Sequence, residues 1–119
     1  MSTALVNSPA QALEAPSPQR AEELLEAFIA SYDAKQSSKA LYRRELRQYF
    51  NWADKKGYLL SQIAREHILG YRAELLASGM SSLTVAAYLT AVKVFYAWAE
   101  ANKLYPNVAK GAKLPRREH

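Results

Sequence analysis

Ser38-Lys-Ala-Leu-Tyr-Arg-Arg-Glu-Leu-Arg-Gln-Tyr-Phe-Asn-Trp-Ala-Asp-Lys-Lys-Gly57 and Ser82-Leu-Thr-Val-Ala-Ala-Tyr-Leu-Thr-Ala-Val-Lys-Val-Phe-Tyr-Ala-Trp-Ala-Glu-Ala-Asn-Lys103 share one internal grammar. Each opens with serine and carries the order Tyr, Leu, a pair of aromatics, then Trp-Ala. In the first, Tyr42, Leu46, Tyr49, Phe50 and Ala53 recur at the spacing of one helix face. In the second, Val85, Leu89, Val92, Phe95, Tyr96 and Ala99 do the same. Both stretches therefore read as amphipathic helices with an aromatic-rich buried stripe. Ser37 or Ser38 is the expected cap of the first, and Ser81 or Ser82 that of the second. Gly57 stops the first, with Lys55 and Lys56 placed where cations suit the helix dipole. Asn102 and Pro106 end the second.

Outward from these helices the chain supplies two more. Ser17-Pro18 is a helix-start signal, and Leu24, Leu25, Phe28, Ile29 and Tyr32 form an apolar stripe. That predicts a helix over about 18–34. A third is expected over about 65–78, with Ile68, Leu69, Tyr71, Leu75 and Leu76 as core candidates and Gly79 as its stop. Ala64 is a poor cap for it. No segment alternates like a strand, so the fold class is all-α, a compact bundle of four main helices. Residues 1–16, rich in Ala, Ser and Pro, read as a flexible leader. Residues 17–106 form the helical domain, and 107–119 a basic tail.

At 119 residues the chain suits one domain with a modest core. It has no cysteine, hence no disulfide framework and no thiolate metal site. No run of about eighteen apolar residues marks a membrane span, and no secretory signal opens the chain. The expected setting is cytoplasmic and nucleoid-associated, without a membrane partner. The net charge of +5 is unevenly spread. Residues 38–56 carry +4 and residues 103–119 carry +4, whereas 20–37 carry −2. Two basic patches suit a polyanionic partner such as nucleic acid. They equally suit a solvated helix face and a solubilising tail.

The catalytic inventory is thin. His67 and His119 are the only histidines, and His67 is read as a surface or capping residue. Glu22, Glu23 and Glu26 read as a solvated acidic face. There is no phosphate-binding glycine loop and no nucleophile elbow. No cofactor or metal is expected. Trp52 and Trp98, late in the second and fourth helices, are read as core or edge packing, with base stacking as the alternative.

The strongest functional constellation is the basic face of the second helix. Lys39, Arg43, Arg44 and Arg47 span about two turns, a length that a helix lying in a DNA major groove can use. The fourth helix offers Ser82, Thr84, Ala87, Tyr88, Thr90 and Lys93 away from its apolar stripe. Small residues there permit close approach, and hydroxyls can donate to phosphate oxygens. In the tail, Lys110, Lys113, Arg116 and Arg117 supply further cations.

In this order and spacing the residues resemble a known family. Ser38, Tyr42-Arg43-Arg44-Glu45-Leu46, Tyr49-Phe50, Trp52-Ala53 and Gly57 look like the N-terminal half of a tyrosine recombinase (phage integrase) core-binding domain. Ser81-Ser82-Leu83-Thr84 and Leu89-Thr90-Ala91-Val92-Lys93-Val94-Phe95-Tyr96-Ala97-Trp98 are similar to its last helix. Asn107 through Arg116 is similar to the family's exit toward its catalytic domain. Val108 departs from the usual proline after Asn107, Ser38 from the commoner threonine, and Ala64 from the polar residue that usually opens the third helix.

The resemblance implies a SAM-like bundle that clamps one face of a recombination site, with the second and fourth helices toward duplex DNA. Lys93 matches the family's basic position in the last helix, which implies a phosphate contact. The family's catalytic residues lie in a C-terminal domain, so no tyrosine here is expected to be the nucleophile and no catalytic residue is assigned. On that reading this chain is not itself an enzyme, and is a piece or a natural truncation of a longer recombinase. Its implied partners are double-stranded DNA, the catalytic domain of the same full-length protein and other recombinase protomers on DNA. Two alternatives stand beside it. One is a helical protein-interaction module. The other is a stand-alone helix-turn-helix regulator, for which the Ala77–Ser81 link is short enough.

Overall fold

Helix α1, Pro18–Ser31, starts at the proline whose fixed φ suits a first turn. The computed structural model describes residues 18–115, so the leader 1–16 and the Ser17 cap lie outside the described residues. Among the described residues the further helices are α2, Gln36–Lys56, α3, Arg65–Ala77, and α4, Ser82–Ala101, with a 3₁₀ turn at Leu60–Gln62. No strand occurs among the described residues, which makes the fold all-α. The described chain divides into two compact units that meet at Gln62 and Ile63.

In the first unit α1 packs on α2. Leu25, Phe28, Leu46 and Tyr49 are fully buried. Tyr32 and Tyr42 close the α1–α2 connection, their rings 5.2 Å apart. The Tyr42 phenol is pushed up to about 12, first by its hydrogen bond with Tyr32 and then by burial. α2 does not begin at a serine cap. Its N-cap is Lys35, with extended backbone and no side-chain hydrogen bond, so Ser37 and Ser38 lie inside the first turn. Lys39 N–H already donates to the Lys35 carbonyl at 2.9 Å. The other end is as read. Gly57 has φ 77, and the amides of Gly57 and Tyr58 donate to the carbonyls of Asp54 and Ala53. This left-handed closure favours glycine. Trp52 is half-buried, stacked on Tyr49 at 5.9 Å and edge-on to Tyr58 at 5.5 Å.

In the second unit α3 packs on α4. Ile68, Tyr71 and Leu75 are buried, but Leu76 is exposed and Leu69 only half-buried. At 3.6 residues per turn these two leucines fall about 100° from the sector of the buried three. Ala64 is indeed a poor cap, and His67 compensates. Its Nδ1 accepts the Ala64 amide at 2.9 Å, half of a capping box. α4 is capped as read, with Ser81 Oγ accepting the Thr84 amide at 3.1 Å. Val85, Ala91, Val92, Phe95 and Ala99 of α4 are fully buried. By length and composition α4 is apolar enough to cross a membrane, with a mean hydropathy of 1.2, because Ala, Val and Leu dominate it even with Lys93 and Glu100 present. Here those apolar residues furnish a core face.

Candidate nucleic-acid interface

The exposed arc of α2 is set by helical register. With Leu46, Tyr49, Phe50 and Ala53 turned inward, Ala40, Arg44, Arg47, Gln48 and Asn51 must turn outward, and all five are exposed. Together with Arg43 they line a shallow open groove of ≈ 310 Å³. Three guanidinium groups and two carboxamides thus surround one alanine. Arg44 is exposed, and Lys39, a turn earlier, is half-buried.

The two other arginines are held from the side by α1. Arg43 Nε donates to Glu26 Oε2 at 2.8 Å, and its Nη2 to Oε1 at 2.9 Å. One turn further along α2, Arg47 Nε donates to Glu22 at 3.0 and 3.1 Å, and its Nη2 donates to Oε2 at 2.5 Å. The antiparallel run of α1 against α2 brings the earlier glutamate to the later arginine. Both pairs use the Nε/Nη2 edge, so Nη1 of each guanidinium stays outside them. Hydrogen bonding to Arg43 lowers the Glu26 carboxyl below its ordinary range, and Arg43 in turn is raised. Glu22 and Glu26 are therefore ion-pair partners and not a free acidic face. Glu23 pairs within α1, with Arg20 at 2.9 Å.

Glu45 lies on the inward side of α2, between Tyr42 and Tyr49 in register, and is only 5% exposed. Burial pushes its carboxyl up, partly opposed by Arg44. The helical period carried this signal, since Glu45 falls on the edge of the apolar arc.

The second unit treats its residues differently. Ser82, Ala87, Thr90 and Lys93 fall on the outward arc of α4. Tyr88 shares the sector of Val92 and Phe95 and is half-buried. Thr84 sits in the cap, where its hydroxyl accepts from Ser81 Oγ at 3.0 Å. The Thr90 hydroxyl donates back to the Ala86 carbonyl at 2.8 Å, which occupies its only proton. Leu83, at 67% exposure, lies on this arc too, and the exposed Glu100 shares the register of Ser82.

The tail up to Lys113 is pinned by cations that a charge count treats as free. Lys93 Nζ donates to the Ala112 carbonyl. Arg65 Nη2 donates to the Lys110 carbonyl at 2.7 Å, and Arg72 Nη1 to the Lys113 carbonyl at 2.8 Å. Gly111, at φ 84, lets the Arg65 guanidinium pass; a Cβ there would meet Nη2 at 3.2 Å. Tyr105, Ala109 and Ala112 are buried, whereas the Lys110 and Lys113 side chains are exposed. Arg116 and Arg117 lie outside the described residues. Sequence reasoning missed Arg65 and Arg72 because their targets are backbone carbonyls, which carry no sequence signature.

No group of histidine, cysteine or acidic side chains suited to a metal ion occurs among the described residues. Comparison with known families matches residues 21–103 to the one described as phage integrase, N-terminal SAM-like domain. That span takes in all of α2, α3 and α4. No curated protein and no solved structure matches the chain.

Proposed function

We propose, from the premise that this chain belongs to the phage integrase N-terminal SAM-like domain family, that it binds duplex DNA as the core-binding part of a tyrosine recombinase. The observation that carries the proposal is the arginine-lined groove on α2. An exposed helix face with three guanidinium groups, two amides and a small residue matches what a major groove offers: flanking phosphates and hydrogen-bonding base edges. Arg43, Arg44, Arg47 and Lys39 would make the electrostatic contacts. Ser82, Thr84, Ala87, Tyr88, Lys93 and the tail residues Lys110, Lys113, Arg116 and Arg117 remain candidates for further contacts, whereas Thr90, its proton held by the Ala86 carbonyl, is no phosphate donor. Lys93 would keep two of its three ammonium protons for a phosphate. Cutting and rejoining would fall to a catalytic domain carried elsewhere in the full-length protein, acting in the cytoplasm on nucleoid DNA.

The test is an amide-resolved NMR titration with a short duplex, repeated at about 50 and about 200 mM salt, a range over which phosphate contacts lose most of their strength. Shifts should map to α2 and fade with salt. Arg44→Ala should weaken binding to all sequences and reduce the salt slope by about one. No shift on α2 at low salt would sink the reading.

A second reading has its own observation. Leu83, Ala87, Val94, Ala97 and Ala101 repeat at spacings of four, seven, three and four on the outward arc of α4, an apolar stripe that phosphates do not select. It suits contact with another protomer on the same DNA. Sedimentation of the wild type and Leu83→Glu, with and without duplex, tests this: only the wild type should gain mass beyond one protomer per site.

A further inference from the structure

Within the DNA-binding reading above, on which this rests, we infer that Gln48 and Asn51 are the sequence-reading residues of α2, taking adenine edges in the major groove. Both side chains are exposed and line the groove beside Arg44, with Ala40 one to three turns earlier on the same arc. Neither carboxamide makes a hydrogen bond within the protein among the described residues, so each keeps its donor and its acceptor for a ligand. An amide offers one donor and one acceptor side by side. In the major groove that pattern is complementary to the N6 and N7 positions of adenine.

The surroundings separate reading from holding. Arg43 and Arg47 stand toward α1, each fastened by its Nε edge to a carboxylate of that helix. Placed there, they suit the phosphate rim of a groove. Gln48 and Asn51 lie further round the arc, away from those carboxylates, where neutral hydrogen-bonding groups meet base edges without a charge penalty. Ala40 supplies no bulk to hold the helix off the bases. Three residues along a helix is about 4.5 Å, between one and two base-pair steps. The two amides would therefore read adjacent or next-adjacent positions.

The test is selection from a randomised duplex pool with the wild type, Gln48→Ala and Asn51→Ala, followed by anisotropy titrations of selected and mixed duplexes. Both variants place the best helix former at an exposed site, so the fold should persist, as circular dichroism would verify. The wild type should enrich A·T pairs at one or two positions, by about tenfold over other pairs. Each variant should lose one of those preferences while its salt slope stays unchanged. Unaltered preferences in both variants, or a uniform loss for every sequence with a reduced salt slope, would overturn the assignment. A wild type that binds duplex without preference at these positions also overturns it, and leaves the DNA-binding reading intact. A wild type that binds no duplex removes both.

Discussion

Arg43 and Glu26 meet edge to edge, two parallel hydrogen bonds of 2.8 and 2.9 Å joining the guanidinium to the carboxylate. The pair sits in solvent, with the Glu26 side chain 50% exposed, so water and salt screen it and its share of stability is small. On the DNA-binding reading its weight falls on binding, because a carboxylate already fills the place that a phosphate would want. Neutralising the α1 carboxylates should therefore strengthen DNA binding. Glu22→Gln with Glu26→Gln is expected to raise affinity at low salt several-fold and to steepen the salt slope, with little change in melting temperature. Anisotropy against salt concentration checks it. Unchanged or weaker binding would mean that the carboxylates orient the arginines without competing for them.

Lys93 and Arg72 hold the tail by its carbonyls, so losing either should loosen residues 109–113. Lys93→Met and Arg72→Met should speed tryptic cleavage after Lys110 and Lys113 and lower amide protection there, with α3 and α4 still protected. Equal cleavage in wild type and variants would show that the carbonyl contacts do not order the tail.

Buried Glu45 makes a pH signature. Its folded-state carboxyl is raised by burial, so the neutral form is favoured. Its contribution is present below the ordinary carboxylate range and is lost as pH rises through the raised value. Glu45→Gln should stabilise the protein at pH 7 by on the order of 1 kcal/mol, and the gain should shrink toward pH 4. The exposed Glu26 runs the opposite way, its contribution lost as pH falls, so the comparison of Glu45→Gln with wild type at each pH isolates the buried group. Thermal melts across pH 4–8 would show whether the gap between the two proteins closes.

Gly57 closes α2 with φ 77 and open space where a Cβ would stand. Gly57→Ala meets no atom, only the left-handed backbone cost, and should lose about 1 kcal/mol in denaturant melts. A larger loss would mean that the turn to Tyr58 rearranges.

How much of this could be read in advance differs by residue. The inward stripes of α2 and α4 were plain, because burial follows a 3.6-residue period that the chain displays. The Ser81 cap and the Gly57 stop were plain for the same local reason. The start of α2 was not, since Lys35 caps by backbone conformation alone. Leu76 looked like core because hydrophobicity was weighed without its register. The basic face of α2 was visible as a charge run, but its pairing with Glu22 and Glu26 was not. That pairing depends on α1 lying antiparallel on α2 with one particular offset, which lies in packing and not in either helix alone. Tail anchoring by Arg65, Arg72 and Lys93 was hidden because backbone acceptors are the same at every residue.

The carbonyl clasp on the tail also sets a reach. Seven residues, Asn107 to Lys113, behaving as free coil would give their far end roughly 15 Å of root-mean-square wander. Fastened at Lys110, Ala112 and Lys113, that end is held to side chains of α3 and α4. Leu114 and Pro115 then leave the unit from a held point and not from a wandering one. On the DNA-binding reading, the reach of the chain past Lys113 depends on whether these carbonyls stay bound, and a protein that let go of all three would lengthen its own leash.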